Sequence, residues 1–449
     1  MRSSRWRAVL FCVLLCLAGL AVPALAQTAP DDRIEQLERE VAALKAQITE
    51  MKAEQGTAEP ADRIAELERK LDVLAQEIET LRVGEAAASA DGTSYGFGPA
   101  ASKIYRTERG LSIGGYGELI YKNVQDERDD GTPSGREDSF DLLRAVLYFG
   151  YKLDDRWLFN SEVEYEHAGH EVSLEFAYVD YLWRPQANFR AGLVLVPMGF
   201  VNELHEPTVF LGANRPDVER QILPSTWREN GVGLFGEAGP FSYRTYVVNG
   251  FDASGFTAGG LRGGRQEGSE ATAEDLAWVG RVDFTGLPGL LVGASAYVGD
   301  SGQDLGPAVG TEIVEGHLEW RWRGLEARAL GVQARLDDVA ALNRALGRTG
   351  TASVGETLQG YYLQLGYDVL AGRGGGRSLT PYARWEAYNT QDEVPAGFRA
   401  NPANDVESLT LGVAWKPIDA IIVKVDHQNY DNAAGTGVDQ LNVLLGWIF

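Results

Sequence analysis

Side chains able to do covalent or metal chemistry are few. The two cysteines, Cys12 and Cys16, lie in an apolar front segment, and the five histidines are His167, His170, His205, His317 and His427. The run Glu166-His167-Ala168-Gly169-His170-Glu171 has the residue types of a metal site. Zinc needs its ligands held convergent on rigid elements, and this run falls at a predicted hairpin tip. It reads as a solvated turn, so no metal and no cofactor are expected. Glu162, Glu164 and Glu166 could suggest acid–base work, but carboxylates at alternate positions of one strand are more simply wall residues facing arginines of the next strand, such as Arg144. No local motif sets a nucleophilic serine beside a histidine base. Catalysis is therefore the reading ranked last.

What the chain offers instead is charge at every second position. Arg144, Arg190, Arg244, Arg281, Arg321, Arg323, Arg384 and Lys424 alternate with apolar residues, and so do Glu162, Glu164, Glu315, Glu319, Glu386 and Asp426. In 156–166, Trp157, Phe159, Val163 and Tyr165 alternate with Asn160 and the three glutamates; in 311–323, Val314, Leu318, Trp320 and Trp322 alternate with Glu315, His317, Glu319 and Arg321. A period of two puts the two sets on opposite faces of a strand. Sixteen such stretches follow one another from Leu111 to Phe449, most of them near the length that crosses a bilayer at a tilt. Their connections alternate between short ones, such as Arg184-Pro185-Gln186 and Arg323-Gly324, and long polar ones, such as 123–139 and 250–274, with one exception, the short His167 to Glu171 connection, which falls where a long loop is due. That parity predicts an all-β transmembrane antiparallel barrel of about sixteen strands, with an apolar face to lipid and a charged face to a water-filled lumen. The last strand, Leu441 to Phe449, keeps Leu441, Val443, Leu445, Trp447 and Phe449 on one face and should close on the first.

One long connection, 197–228, is too apolar to lie bare in water: Val201, Leu204, Val209, Phe210 and Leu211 need cover. It is expected to fold into the barrel and constrict it, bringing Glu203, His205, Glu206, Arg215, Asp217, Glu219 and Arg220 into the lumen. The arginines of the wall, recurring from strand to strand, are expected to form a continuous positive track that gives a weak anion preference, opposed by the loop's carboxylates.

Ahead of the strands come three units. Residues 1–26 have Arg2, Arg5 and Arg7, an apolar core and an Ala24-Leu25-Ala26 cleavage site, the pattern of a secretory signal peptide. In residues 27–82, Ile34, Leu37, Val41, Leu44, Ile48 and Met51 recur at spacings of three and four, and Ile64, Leu67, Leu71, Leu74, Ile78 and Leu81 repeat them. That heptad spacing predicts an α-helical coiled coil, interrupted near Gly56 and Pro60. Residues 83–110, rich in Gly, Ala and Ser at their start, read as a mobile linker, and 111–449 is the barrel. The formal charge is −23, and −26 once the three signal arginines are gone. Such an acidic balance argues against nucleic-acid binding, which needs basic patches.

The run F-D-L-L-R-A-V-L-Y-F-G-Y-K-L-D-D-R-W-L-F-N-S-E-V-E-Y-E (Phe140 to Glu166), with E-N-G-V-G-L-F-G-E (Glu229 to Glu237) and Y-R-T-Y-V-V-N-G-F (Tyr243 to Phe251), resembles the phosphate-selective porin O and P family. The resemblance covers about Leu111 to Phe251 and implies a homotrimeric outer-membrane channel, in some members selective for phosphate. The chain departs from that pattern at the constriction, where the long loop has no lysine. The expected function is a porin in the outer membrane of a Gram-negative bacterium, passing small inorganic or organic ions, with the coiled coil in the periplasm free to meet a partner there. The alternative is a structural anchor for that coiled coil.

Overall fold

The computed structural model describes residues 39–48, 67, 70–71, 95–372 and 377–449. Residues 39–48 are helical, where the heptads predict a helix. The signal peptide and most of the coiled-coil repeats lie outside the described residues.

Sixteen strands follow: β1 (Gly110–Val124), β2 (Ser139–Lys152), β3 (Trp157–Glu166), β4 (Glu171–Arg184), β5 (Ala187–Leu195), β6 (Arg228–Ala238), β7 (Phe241–Asn249), β8 (Leu276–Leu287), β9 (Leu290–Asp300), β10 (Gly310–Trp322), β11 (Leu325–Leu336), β12 (Thr357–Tyr367), β13 (Ser378–Glu393), β14 (Asp405–Ile418), β15 (Ile421–Asn432) and β16 (Gln440–Ile448). Each pairs antiparallel with its sequence neighbours, and β1 pairs with β16, so the sheet is a closed barrel with no free edge. The seam is held in register from Tyr116↔Ile448 to Val124↔Gln440, and Phe449 N–H extends it by donating to Gly115 O.

Polarity is inverted across this wall. On β10, Val314 is 60% exposed while the adjacent Glu315 is 1% exposed. The same alternation sets Trp278, Leu365, Leu411 and Trp415 outside and Arg281, Gln364 and Lys424 inside. Aromatic side chains gather at the outer face near the short turns: Trp157 packs on Tyr181 with centroids 4.8 Å apart, and Phe241 on Phe284 at 5.3 Å. Most short connections sit at one rim and most long ones at the other; the exceptions are the four residues 167–170 between β3 and β4 at the long rim and the ten residues 368–377 between β12 and β13 at the short rim. At the short rim the Arg323-Gly324 turn has φ of 48° and 88°, the two positive angles that a tight hairpin with native twist demands. Arg323 therefore lies in a rim turn, where its guanidinium covers the Trp322 ring; the lumen position expected for it is wrong, because the strand ends one residue earlier.

The alternation breaks at β-bulges, and each break matters for the lumen. On β4 the register slips between Glu162↔Phe176 and Val163↔Leu174, leaving Glu175 unpaired with the partner strand. Both Glu175 and Phe176 then point inward and are buried. A second slip, between Glu118↔Arg144 and Leu119↔Leu142, turns Leu143 and Arg144 inward together.

The stretch before β1 is not a free linker throughout. From Tyr95 on it lies inside the barrel, with Phe97, Ala100, Ala101 and Ile104 buried and a one-turn helix, α1, over Lys103–Arg106. The expectation of mobility fails here because Phe97, Ile104 and Tyr105 give it apolar contacts that the preceding Gly/Ala/Ser-rich residues lack.

Candidate functional site

The lumen is built by the wall, the long loop after β5, and the segment before β1. The loop is drawn in and clamped at its neck by Asn202. Its amide donates to Val196 O at 2.7 Å and Trp227 O at 2.8 Å, and its carbonyl accepts from Trp227 N–H at 2.6 Å, so the two ends of the loop are tied together. Inside, a short helix α2 (Asp217–Gln221) presents Glu219, which accepts from Phe200 and Val201 N–H and from the Tyr362 hydroxyl on β12.

The loop spans the lumen from wall to wall. His205 Nε2 lies 3.1 Å from Glu162 on β3, and Glu203 lies 3.3 Å from Arg244 on β7. Across the barrel, Ala213 N–H donates to Asp426 on β15 at 2.6 Å, Val218 N–H to Glu386 on β13 at 3.2 Å, and Gln428 to Asp217 at 2.9 Å. Glu206 accepts from the N–H groups of Ala100 and Ala101, at 3.0 Å each, on the segment before β1. Burial pushes the Glu206 carboxyl up to about 7, against the pull of those N–H donors. Thus Glu203, His205, Glu206, Asp217 and Glu219 all lie in the lumen, buried, whereas Arg215 and Arg220 reach an open vestibule on the long-loop side.

The wall charges are paired. Arg144 meets Glu118 at 3.0 Å and Glu164 at 3.3 Å; Arg190 meets Asp180 at 2.8 Å; Arg244 and Arg281 share Asp283 at 2.6 and 2.9 Å; Arg321 meets Glu319 at 3.2 Å; Arg384 meets Glu386 at 2.6 Å. Arg244 and Arg281 stand directly opposite in the β7–β8 register, a repulsive arrangement that Asp283 relieves. Lys424 is the exception: its ammonium has no hydrogen-bond partner among the described residues and lies 3.7 Å from the Phe210 ring centroid of the loop. The expected track of positive charge is thus a set of buried ion pairs.

Other cations stand in the vestibule. This cavity of about 830 Å³ is bounded by Lys122, Arg136, Arg215, Arg262 and Arg220, the last paired with Asp217 at 3.0 Å, among others, with Glu118, Glu137, Glu166, Glu171, Glu175 and Glu267 on its walls. Arg215 Nη2 and Arg262 Nη1 are buried without a hydrogen-bond partner among the described residues. Burial, with the positive neighbours Arg265, Arg215 and Arg220, pushes Arg262 down to about 9.

Several of these residues escape sequence reading. Glu175, paired with Arg228 at 2.8 Å, sits on a bulge that a strict period of two sends to the wrong face. Asp180 could have been found, because the tight turn at Pro185-Gln186 sets it opposite Arg190. Arg328, 2.8 Å from Glu319, shares the inward face of β11 with Leu330 and Val332. The Glu166–Glu171 run is a turn as read, with His167 Nδ1 2.6 Å from Asp141. No group of three or more His, Cys, Asp or Glu side chains among the described residues is arranged to hold a metal ion.

Fold and lumen define a sixteen-strand barrel of outer-membrane porin architecture. The solved structure of Salmonella typhi OmpF in complex with daunomycin aligns at a TM-score of 0.52 with 13% identity, over 77% of this chain and 99% of that one. A loop L8 deletion mutant of OmpT, an outer membrane protein of Vibrio cholerae, aligns at 0.50 with 13% identity, over 76% and 100%. At sequence level the chain belongs to the family of an uncharacterized protein of Aquifex aeolicus (strain VF5), to which it is 37% identical over 370 residues, 79% of this chain and 83% of that protein. No family model matches the chain.

Proposed function

We propose that this chain is an outer-membrane channel for passive diffusion of small hydrophilic solutes, with a modest anion preference set in the vestibule and not along the wall. The observation that carries the reading is the inversion of polarity across a closed wall, with Val314 facing out and Glu315 in. Such a surface needs lipid outside and polar contacts inside, and a closed sheet leaves no backbone group bare in the bilayer. The short-turn rim then faces the periplasm, with residues 27–82 there, and the barrel assembles as a homotrimer. For selectivity, paired wall charges largely cancel at the distance of a passing ion, whereas Arg215 and Arg262 line the vestibule with nitrogens that have no hydrogen-bond partner among the described residues, and a charge within about 10 Å of an ion is inside the screening length at moderate salt. The resemblance to phosphate-selective porins is consistent with phosphate among the anions passed.

Reversal potentials in a potassium chloride gradient across a planar bilayer test this. The wild type should favour chloride weakly. The double variant Arg215→Ser, Arg262→Ser should lose the preference, and a clear cation preference in the wild type would overturn the vestibule assignment. A protein that inserts but never conducts would favour a second reading, an anchor presenting the N-terminal coiled coil. That reading draws support from how much of the lumen the loop and the segment before β1 fill.

A further inference from the structure

Polar side chains with unused hydrogen-bonding capacity collect around the vestibule. Setting aside Arg144, whose Nε faces Glu118 at 3.0 Å, five buried donor groups on residues that border it have no hydrogen-bond partner among the described residues: Asn214 Nδ2, Arg215 Nη2, Ser225 Oγ, Arg228 Nε and Arg262 Nη1. The one acceptor in that state belongs to Glu175, whose other oxygen accepts from Arg228 at 2.8 Å and which has Glu164 beside it. A buried donor without an acceptor is costly, and five around one cavity call for a ligand rich in acceptors.

The donors stand on segments that are tied to one another. Asn214, Arg215 and Ser225 belong to the loop after β5, Arg228 opens β6, and Arg262 belongs to the connection between β7 and β8. The Arg265 guanidinium donates to Thr226 O, Arg228 pairs with Glu267 at 3.0 Å, and the Asn214 carbonyl accepts from Arg384 of β13 at 3.4 Å. Ser225 is 2% exposed and Arg228 5%. These groups are held in place before a solute arrives, so binding pays little for ordering them.

Three features of the cavity select the ligand. Five donors ask for several acceptor oxygens. Eight Lys and Arg side chains border the space against seven Asp and Glu side chains, an excess of one positive charge, so a multiply charged anion meets nearly as much repulsion as attraction. Six of the thirty bordering residues have wholly hydrocarbon side chains, so an aliphatic chain gains little by entering, whereas hydroxyl groups find carboxylates to donate to, Glu137 and Glu171 among them. The volume of about 830 Å³ holds a six-carbon molecule with its first waters.

On the vestibule reading above, which this deepens, we infer that the cavity is a binding site for a hydroxylated monocarboxylate of the sugar-acid type. Arg215 and Arg262 take its carboxylate, and Asn214, Ser225 and Arg228 donate to its hydroxyl oxygens. The vestibule then retains solutes of this class before they pass the loop.

Titration calorimetry on the full-length protein in detergent tests this with gluconate, hexanoate (the charge without the hydroxyls), glucose (the hydroxyls without the charge) and inorganic phosphate. Gluconate should bind saturably and about tenfold or more tighter than each of the others, because each of them leaves some of the donors unmet. Arg262→Gln should weaken gluconate about tenfold, and Asn214→Ala with Ser225→Ala about fivefold, in protein that keeps its folded band on unboiled gels. Hexanoate binding as well as gluconate would reduce the site to unspecific attraction of anions and overturn the inference. Phosphate binding tighter than gluconate would make it a compact oxyanion site and overturn it too, as would gluconate that never saturates. Chloride current across a planar bilayer reports the channel reading separately. Gluconate binding without current supports the site and overturns the channel; current without gluconate binding does the reverse.

Discussion

Asp180 and Arg190 show what a single pair contributes inside this barrel. Both are nearly inaccessible, Asp180 at 0% and Arg190 at 2%, and the guanidinium is further enclosed by the rings of Phe97, Tyr178 and Phe235 at 4.0 to 4.9 Å. Removing one partner leaves the other charge buried and unpaired. Arg190→Ala should therefore destabilise the barrel by about 3–5 kcal/mol, whereas Arg190→Met with Asp180→Leu should cost far less. Thermal unfolding followed by unboiled electrophoresis distinguishes them; equal losses would show that packing, not charge, dominates. Glu206 supports a prediction in pH. Its carboxyl is pushed up to about 7 when covered and returns toward its ordinary value of 4.5 when released. Between those two values the packed state holds more protons than the released one, so packing is favoured as pH falls from 7 toward 4.5 and loses that contribution as pH rises through 7. The groups facing Glu206 are His205 and Glu162, both nearby and charged oppositely, and the Ala100 and Ala101 amides. The wild type should unfold at a higher temperature at about pH 5 than at about pH 8, and Glu206→Gln, which keeps an acceptor but cannot titrate, should flatten part of that slope. An unchanged slope would assign it to other carboxylates.

At the level of strands, the seam is the element most exposed to a single change. A Cβ on Gly117 would lie 2.2 Å from the Trp447 ring, and one on Gly115 2.6 Å from the Phe449 ring. Gly117→Leu should displace the indole and cost about 1–3 kcal/mol by overpacking, read as a lower transition temperature of the folded band on unboiled gels. Full retention of the wild-type transition would mean that β16 shifts without penalty. The strands themselves were legible because alternation is a strong signal when one face meets lipid and the other a polar lumen: the stretch read as 140–151 is Ser139–Lys152, and that read as 311–323 is Gly310–Trp322. The faces were legible only between bulges. Nothing in V-S-L-E-F-A-Y announces that Glu175 is the extra residue, since a bulge is decided by pairing with the partner strand. The inward fold of the long loop was legible from its unburied apolar residues. The ion pairing of the wall arginines was not, since it depends on which carboxylates share their height in the barrel.

At the scale of the whole molecule, the chain divides by contact into Met1–Arg82 and Val83–Phe449. The second unit has its own source of stability in a closed sheet, and the heptad spacing in the first predicts a separate one. Deleting Asp31 to Arg82 from the exported protein is expected to leave a barrel that still runs as a compact, heat-modifiable band. Loss of that band would show that the barrel depends on the front unit. The net charge of −23 does not predict selectivity for such a molecule, because the charges that count are those a solute passes closely.

The seam between β1 and β16 has a consequence for how the molecule comes into being. The residues just before β1 end up within the ring, and β1 gains its second neighbour only when the very last strand arrives. The ring must therefore shut around its own leading end, or else shut empty and admit that end afterwards by threading. Contacts so distant along the chain form slowly, and the encounter of the two termini is the slowest of them. If enclosure comes first, protein lacking 95–109 should close at a different rate on refolding into detergent; identical rates would mean that the ring shuts empty and is filled later.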